Sequence, residues 1–308
     1  MSRNIPISGF SSSILPKYYA LPSHDEVVTF VSSSRFPQDL ESFLATHKIT
    51  FNQKNLLEGI NIYYKEEVND ILGNLASDTS AAIYLGLNHD FEELKKQALS
   101  LQKPHTEFGT EAVKTLLHSL DHLIYAQSFR SSLGRQSHDL AQATESIDLI
   151  AELEKAYLHI LQVHLDGKNA FFRQLIHKKI QTYTFMTALR RIEKGESQQS
   201  VLERLHPLHD STITALSNFA FGDIVGEIGQ YLDLAVSEIS VTHIETELLQ
   251  QEISVINQAY LYGGNERVIQ YIETLYHLFT NLKLAYFQVV FQKSTQNIHD
   301  RMINYSQK

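Results

Sequence analysis

Cysteine is absent from the 308 residues, and with it go disulfides, thiolate zinc sites and cysteine nucleophiles. That fits a reducing compartment. Long apolar runs are missing too. No stretch approaches the roughly 20 residues that span a bilayer, and even the apolar end of the last helical stretch is interrupted by Asn281, Lys283 and Gln288. The chain is therefore expected to be soluble, with no direct membrane span. Positive charge is scarce: 26 Lys and Arg against 35 Asp and Glu leave a formal charge of -9. The basic clusters, Lys178-Lys179 and Arg190-Arg191, are short. Binding a phosphate backbone needs a concentrated basic face, so nucleic acid is not an expected partner, whereas proteins with basic patches are. Met1 to Pro22, rich in Ser, Gly and Pro, has neither a positive n-region nor a continuous apolar h-region. The expected location is the cytoplasm.

What the sequence has in quantity is helical periodicity. From Val268 the apolar positions Val268, Ile272, Leu275, Phe279, Leu282, Tyr286 and Val289 alternate in steps of four and three, which keeps one stripe facing a core. Gly263-Gly264-Asn265 supplies the break before it, with Asn265 as the expected N-cap and Glu266 in the first turn, where the helix dipole favours an acid. Leu140, Ala143, Ile147, Ile150, Leu153, Tyr157, Ile160 and Leu161 form a second stripe, closed by Asp166-Gly167. Another helix is expected from Asn169 through Phe172, Ile176, Ile180 and Tyr183 to Gly195, completing an antiparallel hairpin. Val241 to Ala259 reads as a further helix around Ile244, Leu248 and Val255.

Strand signals are weak. The best candidates, Val27 to Val31 and His47 to Phe51, have no convincing hairpin turns. Gln102-Lys103-Pro104-His105 and the polar stretch Gly195 to Gln199 read as boundaries, giving helical units at 1–103, 104–195 and 196–308. The 43% hydrophobic content is ample for their cores.

Sites for chemistry are sparse. His118, Asp121 and His122 have the spacing by which one helix face can offer two imidazoles and a carboxylate to a metal. The same trio is equally the polar side of a helix whose apolar side is Leu116, Leu117, Leu120, Leu123 and Ile124, and that reading is preferred. His206-Pro207-Leu208-His209-Asp210 offers a similar set, with Pro207 favouring a loop. Glu66-Glu67, Glu92-Glu93 and the pair Glu152 and Glu154 read as solvated faces without acid-base geometry. Gly222, Gly226 and Gly229 lack the spacing and the lysine of a phosphate-binding loop, and more simply permit a close helix crossing. The runs Ser11 to Ser13 and Ser32 to Ser34 read as loop or cap material. No catalytic residue, cofactor or metal is assigned.

Three stretches vary one theme: Asn88-His89-Asp90-Phe91-Glu92-Glu93-Leu94-Lys95, Ile180-Gln181-Thr182-Tyr183-Thr184-Phe185-Met186-Thr187 and His277-Leu278-Phe279-Thr280-Asn281-Leu282-Lys283-Leu284. With Asp90, Gln181 and Leu278 as equivalents, the steps are 91 residues (90 to 181) and 97 (181 to 278), about one small domain each. This pattern resembles the C-type central-stalk subunits of bacterial and archaeal V/A-type rotary ATPases, designated d in the eukaryotic V-ATPases. That family's second long helices carry an acid, two variable positions, Asn-Leu and often a base. Asp90, Leu94 and Lys95 keep the pattern, with Glu93 in place of Asn, and Asn281-Leu282-Lys283 keeps its other end, with Leu278 in place of the acid. In the middle copy Gln181 and Thr184 replace both polar positions, although Ala188-Leu189-Arg190 and the following Gly195 retain the ending.

The resemblance implies an all-α fold of three similar units of long antiparallel helices packed into a funnel. It implies a non-catalytic central-stalk adaptor, present once per complex on the cytoplasmic side of the membrane. Its partners would be the central axle subunits and the membrane proteolipid ring. Asp90, Glu93, Lys95, Arg190, Asn281 and Lys283 become the candidate structural or interface residues. Two other classes remain open from the residues: a helical scaffold for other proteins, for which the common two-helix repeats would be shorter, and a metal-dependent helical enzyme, which would need ligands converging from separate helices.

Overall fold

The computed structural model describes residues 7–33, 36–50, 55–234, 239–262, 264–290 and 302–305, and every regular element among them is a helix. Two compact units emerge, 1–82 with 253–308, and 83–252. The chain passes between these units inside two helices, near residues 82 and 252.

In the first unit, α1 (Ile7–Ala20), α2 (His24–Val31), α3 (Leu40–Thr46) and α4 (Leu56–Asn74) precede α5 (Ser80–Leu101), which carries the chain onward. The Ser-rich N-terminal stretch is thus helical from Ile7, and Ser11 to Ser13 lie within α1. Val27 to Val31, the first strand candidate, is helix. The reason is local: Ser23 and Glu26 form a capping box in which the Ser23 side chain accepts from Glu26 N–H and the Glu26 carboxylate accepts from Ser23 N–H. Ser32 and Ser33 close that helix by donating to Val28 O and Phe30 O. His47 to Thr50 forms the turn after α3, and Phe51 lies outside the described residues, as do Ser34 and Gly263.

The second unit adds α6 (Thr110–His118), α7 (Ala126–Arg135), α8 (Ser137–Gln142), α9 (Ser146–Leu165), α10 (Ala170–Glu193), α11 (Gln198–Leu205), α12 (Ser211–Leu216) and α13 (Ile224–Tyr231), and includes most of α14 (Val241–Asn257). The final helix, α15 (Glu266–Val290), belongs to the first unit, where it packs against α1, α2 and α4.

The long helices bury most of the stripes their sequence spells, although Ile147 in the first turn of α9 is exposed. On α15, Val268, Ile272, Leu275, Phe279 and Leu282 are all buried, and Tyr63 of α4 meets Phe279 edge to face at 6.0 Å. The α9–α10 hairpin forms as expected, with Asn169 capping α10 by accepting from Phe172 N–H at 3.0 Å. Its stripe, however, is broken at Ala143 to Glu145, which separates α8 from α9. The break is fixed by tertiary bonds: Phe108 N–H donates to Ala143 O and Gly109 N–H to Ala141 O, each at 2.8 Å. Other ends also depart from expectation. Asp166 ends α9 in right-handed conformation and Gly167 has no positive φ, while the buried Asn265 Oδ1 makes no hydrogen bond.

The left-handed cap occurs at Gly195, with φ of 80°. Gly195 N–H donates to Ile192 O at 2.8 Å and Glu196 N–H to Arg191 O at 3.0 Å, the paired bonds of a Schellman ending. This turn delivers the Glu196 carboxylate to Arg191 at 3.1 Å and to Arg204 of α11 at 2.9 Å. At Gly229 a Cβ would come within 2.2 Å of Ile239 Cδ1, so the glycine admits a close passage of chain.

Candidate functional site

The polar residues of the three related stretches sit on long helices, some buried, such as Asp90, Gln181 and Asn281, and others, such as Glu92, exposed. Asp90 of α5 is fully buried. Its Oδ1 accepts from Ile124 N–H at 3.1 Å and its Oδ2 from Tyr125 N–H at 2.6 Å, just before α7 begins. One turn earlier, Gly86 makes this approach feasible, since a Cβ there would stand 2.8 Å from Tyr125 Cε2. Burial, reinforced by the Asp90 charge, raises the Tyr125 hydroxyl above the ordinary tyrosine range. Asp90 is thereby committed to holding main chain.

Its neighbours on α5 face elsewhere. Glu93 pairs with Lys96 at 2.9 Å and Lys95 with Glu92 at 2.5 Å, both local helix pairs. Lys95 also lies 4.7 Å from the centre of the Phe91 ring, which stacks on Tyr157 of α9 at 4.5 Å. The Tyr157 hydroxyl donates to Asn88 Oδ1, adding a polar tie between α5 and α9.

Lys95 and Arg190 are the two candidates that share a neighbourhood. Both act on Glu154 of α9, as does Lys179 of α10. Burial raises the Glu154 carboxyl above its ordinary range; these three cations oppose that shift and Glu252 of α14 reinforces it. Lys179 and Glu252 pair at 2.5 Å, and adjacent Lys178 donates to Gln251 at 2.7 Å and Gln181 at 3.0 Å. The other replaced position in the middle copy, Thr184, has a buried hydroxyl without a partner. Four helices, α5, α9, α10 and α14, thus contribute charges of both signs to one region.

A second ionic group was hidden by the reading of Glu152 as a solvated residue. Glu152 is buried, and its Oε2 forms a close ion pair with Lys155 at 2.7 Å without the alignment of a hydrogen bond. Lys155 is only 1% exposed. It donates to Arg204 O at 2.9 Å and approaches Asp139 at 3.5 Å, while Arg191 reaches Asp148 at 3.5 Å and Glu152 at 3.8 Å. Only the i,i+3 spacing of Glu152 and Lys155 foreshadows this arrangement. Chemically, both groups neutralise charge between packed helices.

Asn281 and Lys283 belong to the first unit. Asn281 is fully buried, with Nδ2 donating to Ile303 O and Oδ1 accepting from Ile303 N–H, each at 2.8 Å. Lys283 donates to Asn61 of α4 at 2.5 Å. Leu278, standing where the acid would be, is buried in the apolar core. Sequence reading missed a parallel in the second unit: the Gln162 carboxamide donates to His209 O and accepts from His209 N–H.

The histidine trio falls across the end of α6 and the 3₁₀ turn Ser119–His122. Asp121 pairs with Arg130 at 2.7 Å, and His122 Nε2 lies 2.9 Å from Gln97 Nε2. Asp210, from the other histidine-rich stretch, lies 2.7 Å from His177 and caps α12 by accepting from Thr212 N–H at 2.8 Å. Among the described residues no group of three or more His, Asp or Glu side chains is placed to hold a metal ion, and no helix is long and apolar enough to cross a membrane. Comparison with protein-family models, curated proteins and solved structures finds no match.

Proposed function

We propose that the chain is a non-catalytic adaptor of a V/A-type rotary ATPase, joining the central axle subunits to the membrane proteolipid ring and present once in each complex. The three-unit funnel that the sequence resemblance implies, and a position on the cytoplasmic side of the membrane, belong to this reading. The observation that carries it is the use made of the signature positions. Asp90 and Asn281 each lie buried on a long helix and fasten the main chain of another segment. A torque-transmitting part needs stiffness more than reactivity, and buried, fully bonded polar groups between long helices resist sliding and torsion.

The charge groups support the same reading. Lys95 of α5 and Arg190 of α10 both act on Glu154 of α9, which brings charges of opposite sign on three helices into one region. The formal charge of -9 favours docking to basic loops of either partner. Co-purification is the test. Recovery of the tagged full-length chain together with ATPase catalytic and proteolipid subunits is expected, and its persistent isolation from any such complex would overturn the proposal. If ring binding proves independent of salt, the charge argument fails while the adaptor reading survives.

A further inference from the structure

Along α7, Ser128, Ser131, Ser132 and Arg135 recur at intervals of three, one and three, which places three hydroxyls and a guanidinium on one helix face. This face packs against α9, and between them lies a cavity of about 330 Å³, also lined by His159 and His164, with Ile160 and Val163 as its apolar side. None of its lining residues is Asp or Glu. In a chain with an acidic balance, this cavity gathers hydrogen-bond donors and positive charge.

Two of those groups lack partners. Ser132 is 1% exposed, and its hydroxyl makes no hydrogen bond. Arg135 Nη2 lies 3.3 Å from His159 Nε2. A guanidinium only donates, so Nε2 accepts and the ring proton belongs on Nδ1, which is buried and unpartnered. Burial first, then the charges of Arg135, His209 and His206, hold the His159 imidazole below its ordinary proton affinity. The remaining histidine, His164, has its Nε2 3.2 Å from Ser128 Oγ. Buried donors without acceptors are costly, and an anion supplies what they lack.

We infer that the α7–α9 cavity binds a phosphoryl group, free or carried on a small molecule, with Arg135 as the charged anchor and Ser128, Ser131, Ser132 and His159 as hydrogen-bond donors. A tetrahedral oxyanion accepts from several directions at once, matching donors spread over two helices better than a planar carboxylate does. The cavity has room beyond a single oxyanion, at the small end of the range for small-molecule sites. This inference stands apart from the adaptor reading, since it rests on a separate set of side chains.

The test titrates the full-length protein with inorganic phosphate, glycerol 3-phosphate and acetate at constant ionic strength, following the ¹⁵N resonances of the histidine rings. Saturable shifts of the His159 signals are expected with either phosphate compound. Tighter binding of glycerol 3-phosphate identifies a carried phosphoryl group, and equal or weaker binding a free one. Arg135→Gln should weaken phosphate binding by about tenfold or more, with Ser132→Ala causing a smaller loss. The serine variant keeps the test valid should the arginine variant fold poorly. Acetate binding as tight as phosphate, the absence of saturation, or unchanged affinity in both folded variants would overturn the inference.

Discussion

Asn281 engages both main-chain polar groups of Ile303 at 2.8 Å, so one buried carboxamide stands in for a short piece of strand pairing. Two residues further on, the Tyr305 hydroxyl donates to Pro22 O at 3.1 Å, and its ring meets His24 edge to face at 5.9 Å. These contacts fasten residues 302–305 to the first unit. Replacing Asn281 by Ala removes both partners of Ile303 and should cost about 2–3 kcal/mol in urea denaturation. Asp in its place keeps an acceptor for Ile303 N–H but cannot donate to Ile303 O when ionised, and should lose nearly as much. Amide exchange at Ile303 should accelerate in both variants; unchanged protection there would remove the structural role given to this residue.

Asp90 is the corresponding anchor in the second unit. Asp90→Ala leaves Ile124 and Tyr125 N–H without their acceptor, for an expected loss of about 3 kcal/mol. Gly86→Ala attacks the same junction sterically, because the new methyl would meet the Tyr125 ring, and should cost about 1–3 kcal/mol. If the losses arise at one junction, the double variant will fall short of their sum. Strict additivity by chemical denaturation would show that the two residues act separately.

The buried Lys155 poses a different question, whether its network contributes through attraction or only through the harm of breaking it. Lys155→Met leaves Glu152 buried without its nearest cation and should destabilise by about 3–5 kcal/mol. Adding Glu152→Gln removes the stranded charge and should restore most of the loss. No recovery in the double variant would point to the bond from Lys155 to Arg204 O as the decisive contact.

Gln136 offers a chance to gain stability. It is buried at the end of α7, and neither its Nε2 nor its Oε1 has a hydrogen-bond partner. Methionine has nearly the same length and no polar atom to desolvate, so Gln136→Met should gain about 1 kcal/mol. A lower thermal midpoint in this variant would mean that the carboxamide is satisfied in solution, for example by bound water.

The difference between what the sequence revealed and what it concealed follows the range of the forces involved. Stripes on α9, α10 and α15 were legible because burial of an amphipathic helix repeats within a few residues. Asn169 announced a helix start, and Gly195 an ending, because both caps act through their immediate neighbours. The break at Ala143 was not legible, since it depends on Phe108 and Gly109, more than thirty residues earlier. The partners of Asp90 and Asn281 were likewise distant, so the sequence marked those positions without indicating what they bind. Glu152 was misread because an acid on a helix is normally solvated; only the arrival of Lys155 and Arg191 makes its burial tolerable. The donor face of α7 has a visible period, but its cavity exists only once α9 is in place.

Glu154 tests the balance between burial and attraction around Lys95, Lys179 and Arg190. Its carboxyl is raised above the ordinary value of 4.5 by burial, and the three cations only partly counter that effect. An acid raised in the folded state binds its proton more tightly there than in the unfolded chain, so its contribution to stability is fullest below about pH 4.5 and is lost as the pH climbs through the folded value. At neutral pH the ionised group therefore burdens the fold, despite its cationic neighbours. Glu154→Gln keeps the shape and removes the ionisation. The variant should melt about 2 °C or more above the parent at pH 7, with the gap closing as the pH falls toward 4. A variant less stable than the parent at pH 7 would mean that attraction to the three cations outweighs burial, making Glu154 a stabilising centre of the cluster.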